Sequence, residues 1–180
     1  MKTYIALFRG INVGGNSILP MKDLVSLLEN LGCQKIKTYI QSGNAVFRSE
    51  EENAGRLSSK ISAEIKKSRG FDPQVLLLES DEIKKAVESN PFPEAESEPK
   101  TLHVNFLASL PENPNLKALE SIKKPSERFE IKDNIFYLHA PEGAGRSKLA
   151  ASAERMLGVS MTGRNWRTVC KILAMAQEYS

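Results

Sequence analysis

The run Arg9-Gly10-Ile11-Asn12-Val13-Gly14-Gly15-Asn16 sets an arginine, two asparagines and three glycines directly after an apolar segment. Between a strand and a helix, such a run can gather backbone N–H groups around an anion. Three further runs carry similar residue types: Gln41-Ser42-Gly43-Asn44, Gly143-Ala144-Gly145-Arg146-Ser147-Lys148 and Gly163-Arg164-Asn165-Trp166-Arg167-Thr168. In all four, cations and hydrogen-bonding groups far outnumber carboxylates. The chemistry these residues suit is the holding of a phosphate or carboxylate.

Neither glycine run has a dinucleotide or P-loop spacing, since Gly10-x-x-x-Gly14-Gly15 and Gly143 to Lys148 match neither pattern. Gly14 and Gly15 serve either close ligand approach or a turn with positive φ. Asn12, Asn44 and Asn165 either read a ligand's edge or hold their own turns. General acid–base work needs a titratable group, and these loops hold no histidine. His103 and His139 lie in apolar strand-like segments, while Cys33 and Cys170 are far apart and in no metal spacing. A metal site is not expected, no cofactor is indicated, and catalysis has no evident carrier.

The elements that must position these loops follow from periodicity. Thr3–Phe8 reads as a strand buried on both faces. A helix with Pro20 in its first turn carries Met21, Leu24, Val25, Leu28 and Leu31 on one face, and Gly32 ends it. Lys35–Ile40 and Ala45–Arg48 are strands around the Gln41–Asn44 turn. Ser49 with Glu52 has the form of a capping box for a helix closed by Gly70, and Gln74–Leu78 is a fourth strand. The order β-α-β-β-α-β is ferredoxin-like. A short helix over Asp81–Ser89 and a proline- and acid-rich segment, residues 91–100, follow.

The second half repeats that order. Strands are expected at Leu102–Leu107, Arg128–Ile131, Ile135–His139 and Val159–Thr162. Helices are expected from Asn113-Pro114, over Ser147–Leu157, and from about Asn165. The fold class is therefore α+β: a ferredoxin-like unit over 1–90, a linker over 91–100, and a similar unit with a C-terminal helix over 101–180. A structural duplication is one reading, and a mixed sheet with a fortuitously repeated order is the other.

Strand direction places the loops. In a βαββαβ unit, strands 1 and 2 run the same way, so Arg9–Asn16 and Gln41–Asn44 belong at one end of the first sheet. In the second half, Gly143–Lys148 and Thr162–Arg167 should likewise meet. The simplest arrangement makes these the two walls of a cleft between the halves. Arg146 and Lys148 would open one helix and Arg164 and Arg167 another, where a cation costs about 0.3–1 kcal/mol. Either an anion offsets that cost, or the arginines turn away toward acids such as Glu142 and Glu154. The expected ligand residues are Arg9, Asn12, Gly14, Gly15, Gln41, Ser42, Asn44, Arg146, Ser147, Lys148, Arg164 and Asn165.

Composition sets the outer bounds. The chain is 41% hydrophobic and 26% charged, as ordinary globular proteins are. A net charge of +3, from 25 basic and 22 acidic residues, is too weak a field to drive nucleic-acid binding without a local patch. No apolar run approaches the ~20 residues of a membrane span. The expectation is a cytoplasmic protein with an anionic small-molecule partner, no membrane association and no indicated oligomeric state. The alternatives are a nucleic-acid module using Tyr4, Phe8 and Phe47, or a protein scaffold pairing through Val75–Leu78.

Four ordered motifs carry a family resemblance: Arg9-Gly10-Ile11-Asn12-Val13-Gly14-Gly15, Thr38-Tyr39-Ile40-Gln41-Ser42-Gly43-Asn44, Arg146-Ser147-Lys148-Leu149 and Thr162-x-Arg164-Asn165-Trp166-x-Thr168. With them, nearly the whole chain resembles the bacterial family called domain of unknown function 1697. The resemblance implies a cytoplasmic α+β protein with a ferredoxin-like part. It implies no activity and no catalytic residue.

Overall fold

The computed structural model describes residues 1–179. The chain runs β1 (Lys2–Arg9), α1 (Met21–Asn30), β2 (Gln34–Tyr39), β3 (Asn44–Ser49), α2 (Ala54–Arg69), β4 (Gln74–Glu79) and α3 (Ser80–Glu88). It continues through β5 (Leu102–Leu107), α4 (Leu116–Ile122), β6 (Arg128–Lys132), β7 (Ile135–His139), α5 (Lys148–Leu157), β8 (Met161–Asn165) and α6 (Trp166–Gln177). Two compact units result: Met1–Lys84 together with the chain from Lys171, and Lys85–Cys170.

Each unit contains one four-stranded sheet, ordered β2-β3-β1-β4 in the first and β6-β7-β5-β8 in the second. Every neighbouring pair is antiparallel. The two orders are the same when each unit's strands are counted from its own first, so the α+β plan is ferredoxin-like and repeated. Strand alternation explains the first core. Tyr4, Ala6 and Phe8 of β1 and Ala45 and Phe47 of β3 share a cluster with Leu24, Leu28, Leu57 and Ile61 of the helices. Each large apolar side chain among them contributes roughly 1.5–3 kcal/mol by burial. The opposite face is buried as well, through Ile5, Leu7, Val46 and Leu78. That two-sided burial is why β1 reads as an unbroken apolar run. In the second unit, Leu107, Phe136 and Leu138 form the corresponding cluster with Leu149, Ala153 and Leu157 of α5.

Several boundaries differ from the sequence expectation. Ser49 does not cap α2; it is the last residue of β3, paired with Lys2, and Asn53 accepts the Arg56 amide instead. The cross-strand ladder outweighs the local capping pattern there. On α1, Leu27 rather than Val25 joins the buried set. Asn115, not Asn113, caps α4. Residues 91–100, expected as a linker, include a 3-10 turn over Pro93–Ser97, with Phe92 and Ala95 buried.

The largest change is at β8. It extends to Asn165 because Arg164 pairs with Val104 and Asn165 with His103. A Cβ at Gly163 would stand 2.1 Å from Asn105 Oδ1, so a larger residue there must displace the side chain whose Nδ2 donates to the Phe136 carbonyl. One backbone group on each of the edge strands β4 and β8 is held by a side chain. Ser58 donates to the Val75 carbonyl of β4, and Glu154 accepts the Met161 amide of β8. Edge groups held this way are poor templates for another strand.

Candidate functional site

In the first unit the two expected loops do meet, and Asn12 ties them together. Its Nδ2 donates to the carbonyls of Leu19 and Gln41, both at 2.8 Å, and its Oδ1 accepts the Leu19 amide at 2.7 Å. Both donors of the carboxamide are thereby used. The Phe8 amide adds a bond of 2.9 Å to the Gly43 carbonyl. Asn12 also has φ of +54°, a conformation that asparagine tolerates better than most residues. Replacing Asn12 by Ala should cost about 2–3 kcal/mol, from three bonds worth about 1 kcal/mol each. Urea unfolding would measure it, and a loss below about 0.5 kcal/mol would contradict this account of the loop.

The other first-unit residues are placed as follows. Gly14 and Gly15 have φ of +58° and +76° and form the centre of a tight turn, in which the Asn16 amide donates to the Val13 carbonyl. Two positive φ values are the type I′ pattern, so both glycines have a turn role. Asn44 is buried, with Nδ2 donating to the Tyr39 carbonyl and to Ser42 Oγ. Arg9 ends β1 and reaches Gln74 Oε1 at 3.4 Å across the sheet. Gln41 and Ser42 are exposed at the hairpin tip.

In the second unit, the turn after β7 leads through a 3-10 segment, Ala144–Arg146, into α5. Ser147 is the N-cap of that helix and accepts the Ala150 amide at 3.0 Å on its hydroxyl. Its carbonyl takes the Ala151 amide. Helix geometry leaves the amides of Lys148 and Leu149 without an intrahelical acceptor. Arg146 and Lys148 flank the cap. Both are exposed, and neither forms an ion pair among the described residues. Glu142, one acid expected to neutralise them, instead accepts from Ser126 and lies 3.8 Å from Lys124. Glu154, the other, takes the Met161 amide.

Arg164 is not at a helix start. It lies within β8, and the register puts it on the face of Val104 and Tyr137. The core against α5 occupies the other face, with Leu107, Phe136 and Met161. Alternation across the pleat therefore separates Arg164 from the start of α5, contrary to the expected meeting. Its guanidinium donates to the Gly163 carbonyl at 2.9 Å, and burial pushes its pKa down to about 10, still well above neutrality. Asn165 shares the α5 face, and its Oδ1 accepts the Thr168 amide, capping α6.

His103, read from the sequence only as part of an apolar strand-like segment, belongs to this neighbourhood. His103 pairs with both Leu138 and Asn165, so it shares the α5 face at the sheet end where β7 and β8 finish. Its Nε2 is buried with no hydrogen-bond partner among the described residues. Burial holds its pKa below the usual imidazole value, against a backbone bond at Lys100 that raises it. Nothing local in the sequence distinguishes His103; its face becomes known only with the β5 register. Among the described residues, no His, Cys, Asp and Glu cluster could hold a metal, and no helix is long and apolar enough to cross a membrane.

Comparison with known proteins follows the fold. The family described as "Protein of unknown function (DUF1697)" matches residues 1–137. Among solved structures, the conserved bacterial protein SP0830 from Streptococcus pneumoniae is similar at 26% identity and a TM-score of 0.76. That match covers 97% of this chain and 98% of the other. No functionally curated protein matches the chain.

Proposed function

Because the chain belongs to the DUF1697 family, whose description assigns no activity, we propose a function from its own residues: binding of a small phosphorylated anion at the start of α5. The observation that carries this reading is the pair Arg146 and Lys148, exposed and outside any ion pair among the described residues, on either side of the Ser147 cap. Cations at a helix N-terminus are unfavourable by about 0.3–1 kcal/mol each. An anion turns that cost into attraction, since it accepts from the Lys148 and Leu149 amides and from both side chains. Asn165 and His103, at the same end of the sheet, supply further polar groups. The Gly14-Gly15 turn fits this role less well, because Asn12 spends its donors on the chain itself.

Thermal unfolding with inorganic phosphate, pyrophosphate and nucleoside phosphates tests the proposal. A ligand at a hundredfold excess over its Kd stabilises by about 2.7 kcal/mol. For 180 residues that corresponds to roughly 5–10 °C. No shift with any phosphate at millimolar concentration would overturn it. Nucleic-acid binding through stacked bases is less well supported. Tyr4, Phe8 and Phe47 all lie in the first core and are at most 1% exposed.

A further inference from the structure

A cleft of about 190 Å³ lies between α1 and α2 in the first unit. From α1 it is lined by Asp23, Ser26, Leu27 and Asn30, whose spacing places them on one helix face. Glu64, Ser68 and Arg69 line it from α2. β1 and β3 are antiparallel and each helix returns along the strand before it, so α1 and α2 run antiparallel. The ion pair of Asp23 with Arg69, the last residue of α2, closes one end. Asn30, the last residue of α1, and Glu64 lie toward the other. Leu19 and Leu27, at 1% and 7% exposure, give the cleft an apolar floor.

The groups left available in this cleft are mainly acceptors. Its one lining cation, Arg69, is already held by Asp23. Ser26 Oγ donates to the Lys22 carbonyl at 3.2 Å, and Ser68 Oγ to the Glu64 carbonyl at 2.8 Å. Both hydroxyls thus spend their hydrogens on their own helices and keep oxygen lone pairs. The Glu64 carboxylate forms no ion pair among the described residues. Of the cations within one turn of it, Lys60 is bonded to Glu51 at 3.0 Å, and Lys67 pairs with no acid among the described residues. The end of α1 adds charge of the same sign. Its last turn contains Glu29 and no basic residue, where the helix carbonyls already present partial negative charge. α2, by contrast, ends on Lys66, Lys67 and Arg69.

We propose that the α1–α2 cleft binds a small organic cation, a primary ammonium on a short alkyl body. The three donors of an ammonium match the Glu64 carboxylate, the Asn30 amide oxygen and a serine hydroxyl. The alkyl part rests on Leu19 and Leu27. Two carboxylates against one guanidinium suit a ligand with a single positive charge. An anion would instead meet Glu64 and the end of α1, with Arg69 already engaged. The volume is below the roughly 300–1,000 Å³ of sites for drug-sized ligands, which limits the ligand to a few carbons. This site shares neither residues nor sign of charge with the anion site at α5, so each is tested separately.

Butylammonium is the probe, with butanol and butyrate as its neutral and anionic counterparts. Each is titrated into the full chain at matched ionic strength, and backbone and side-chain NMR shifts are followed. Butylammonium should bind with a Kd on the order of millimolar, as about five non-hydrogen atoms allow, and move the Asn30 and Ser68 resonances. Butanol and butyrate should bind roughly tenfold or more weakly, since neither forms the charge-assisted bond to Glu64. Glu64→Gln keeps the side chain's size and should weaken butylammonium binding by roughly tenfold. The comparison of the three probes on the wild type does not depend on how the variant folds. Binding of butanol as tight as that of butylammonium, or unchanged affinity in Glu64→Gln, overturns the proposal. So does the absence of a saturable shift at the cleft with butylammonium at tens of millimolar.

Discussion

Replacing Gly43 by Ala should destabilise the first unit by about 2–5 kcal/mol, far more than its single methyl group suggests. Two costs add at this position. Its φ is +89°, where an L-residue meets a penalty of roughly 1–2 kcal/mol. A Cβ there would also stand 2.6 Å from Ile11 Cδ1 and 2.7 Å from Phe8 Cβ. Both neighbours are nearly fully buried, and Phe8 Cβ moves only with its backbone. Overpacking of this kind costs about 1–3 kcal/mol. Gly14→Ala is the matched control. Its φ is +58° and no atom lies within 4 Å of the added methyl, so only the conformational cost remains. Urea unfolding of both variants separates the terms. Equal losses would mean that the contact with Phe8 and Ile11 is not what selects glycine at 43.

The second large effect concerns the α5 start. The double variant Arg146→Ala/Lys148→Ala should weaken phosphate binding by about a hundredfold or more. Each charge-assisted hydrogen bond is worth roughly 1.5–3 kcal/mol, and each 1.4 kcal/mol is about a factor of ten. Stability of the ligand-free protein should move the other way. Removing two cations from a helix N-terminus relieves about 0.3–1 kcal/mol apiece, so the variant should unfold at equal or higher temperature. Titration with inorganic phosphate and ligand-free melting measure the two signs separately. Unchanged affinity places the anion elsewhere. A clear loss of ligand-free stability would mean that the cations hold the fold.

Much of the framework was legible from local pattern. The apolar run of β1, the glycines ending α1, α2 and α5, and the Ser147 cap each depend on residues within a turn or two. The meeting of the Arg9–Asn16 and Gln41–Asn44 segments followed from strand direction alone, and the Asn12–Gln41 bond realises it. What local pattern misassigned was polar sequence drawn into a ladder. Thr162-Gly163-Arg164-Asn165 has the composition of a loop, yet it belongs to the edge strand β8. Ser49 has the composition of a cap, yet it closes β3.

The sequence by itself determined the repeated order of elements, the α+β class, the family and a set of acid-poor loops, while strand pairing decided that the repeat builds two separate four-stranded sheets. Those properties rest on short-range periodicity and on turn and cap residues, which act over a few positions of chain. Only the tertiary structure decided which loop residues remain available to a ligand. Asn12 and Asn44 are consumed by carbonyls that the folded loops bring to them. Arg164 is sent to the face opposite α5 by its pairing with β5, a strand far earlier in the chain, because successive strand residues point to opposite faces. Arg146 and Lys148 are exposed and outside any ion pair among the described residues, and the acids near them in sequence are engaged by Ser126 and the Met161 amide. Hydrogen-bond partners and strand faces are long-range properties, and they are what narrowed the expected ligand residues to a site built around one helix start.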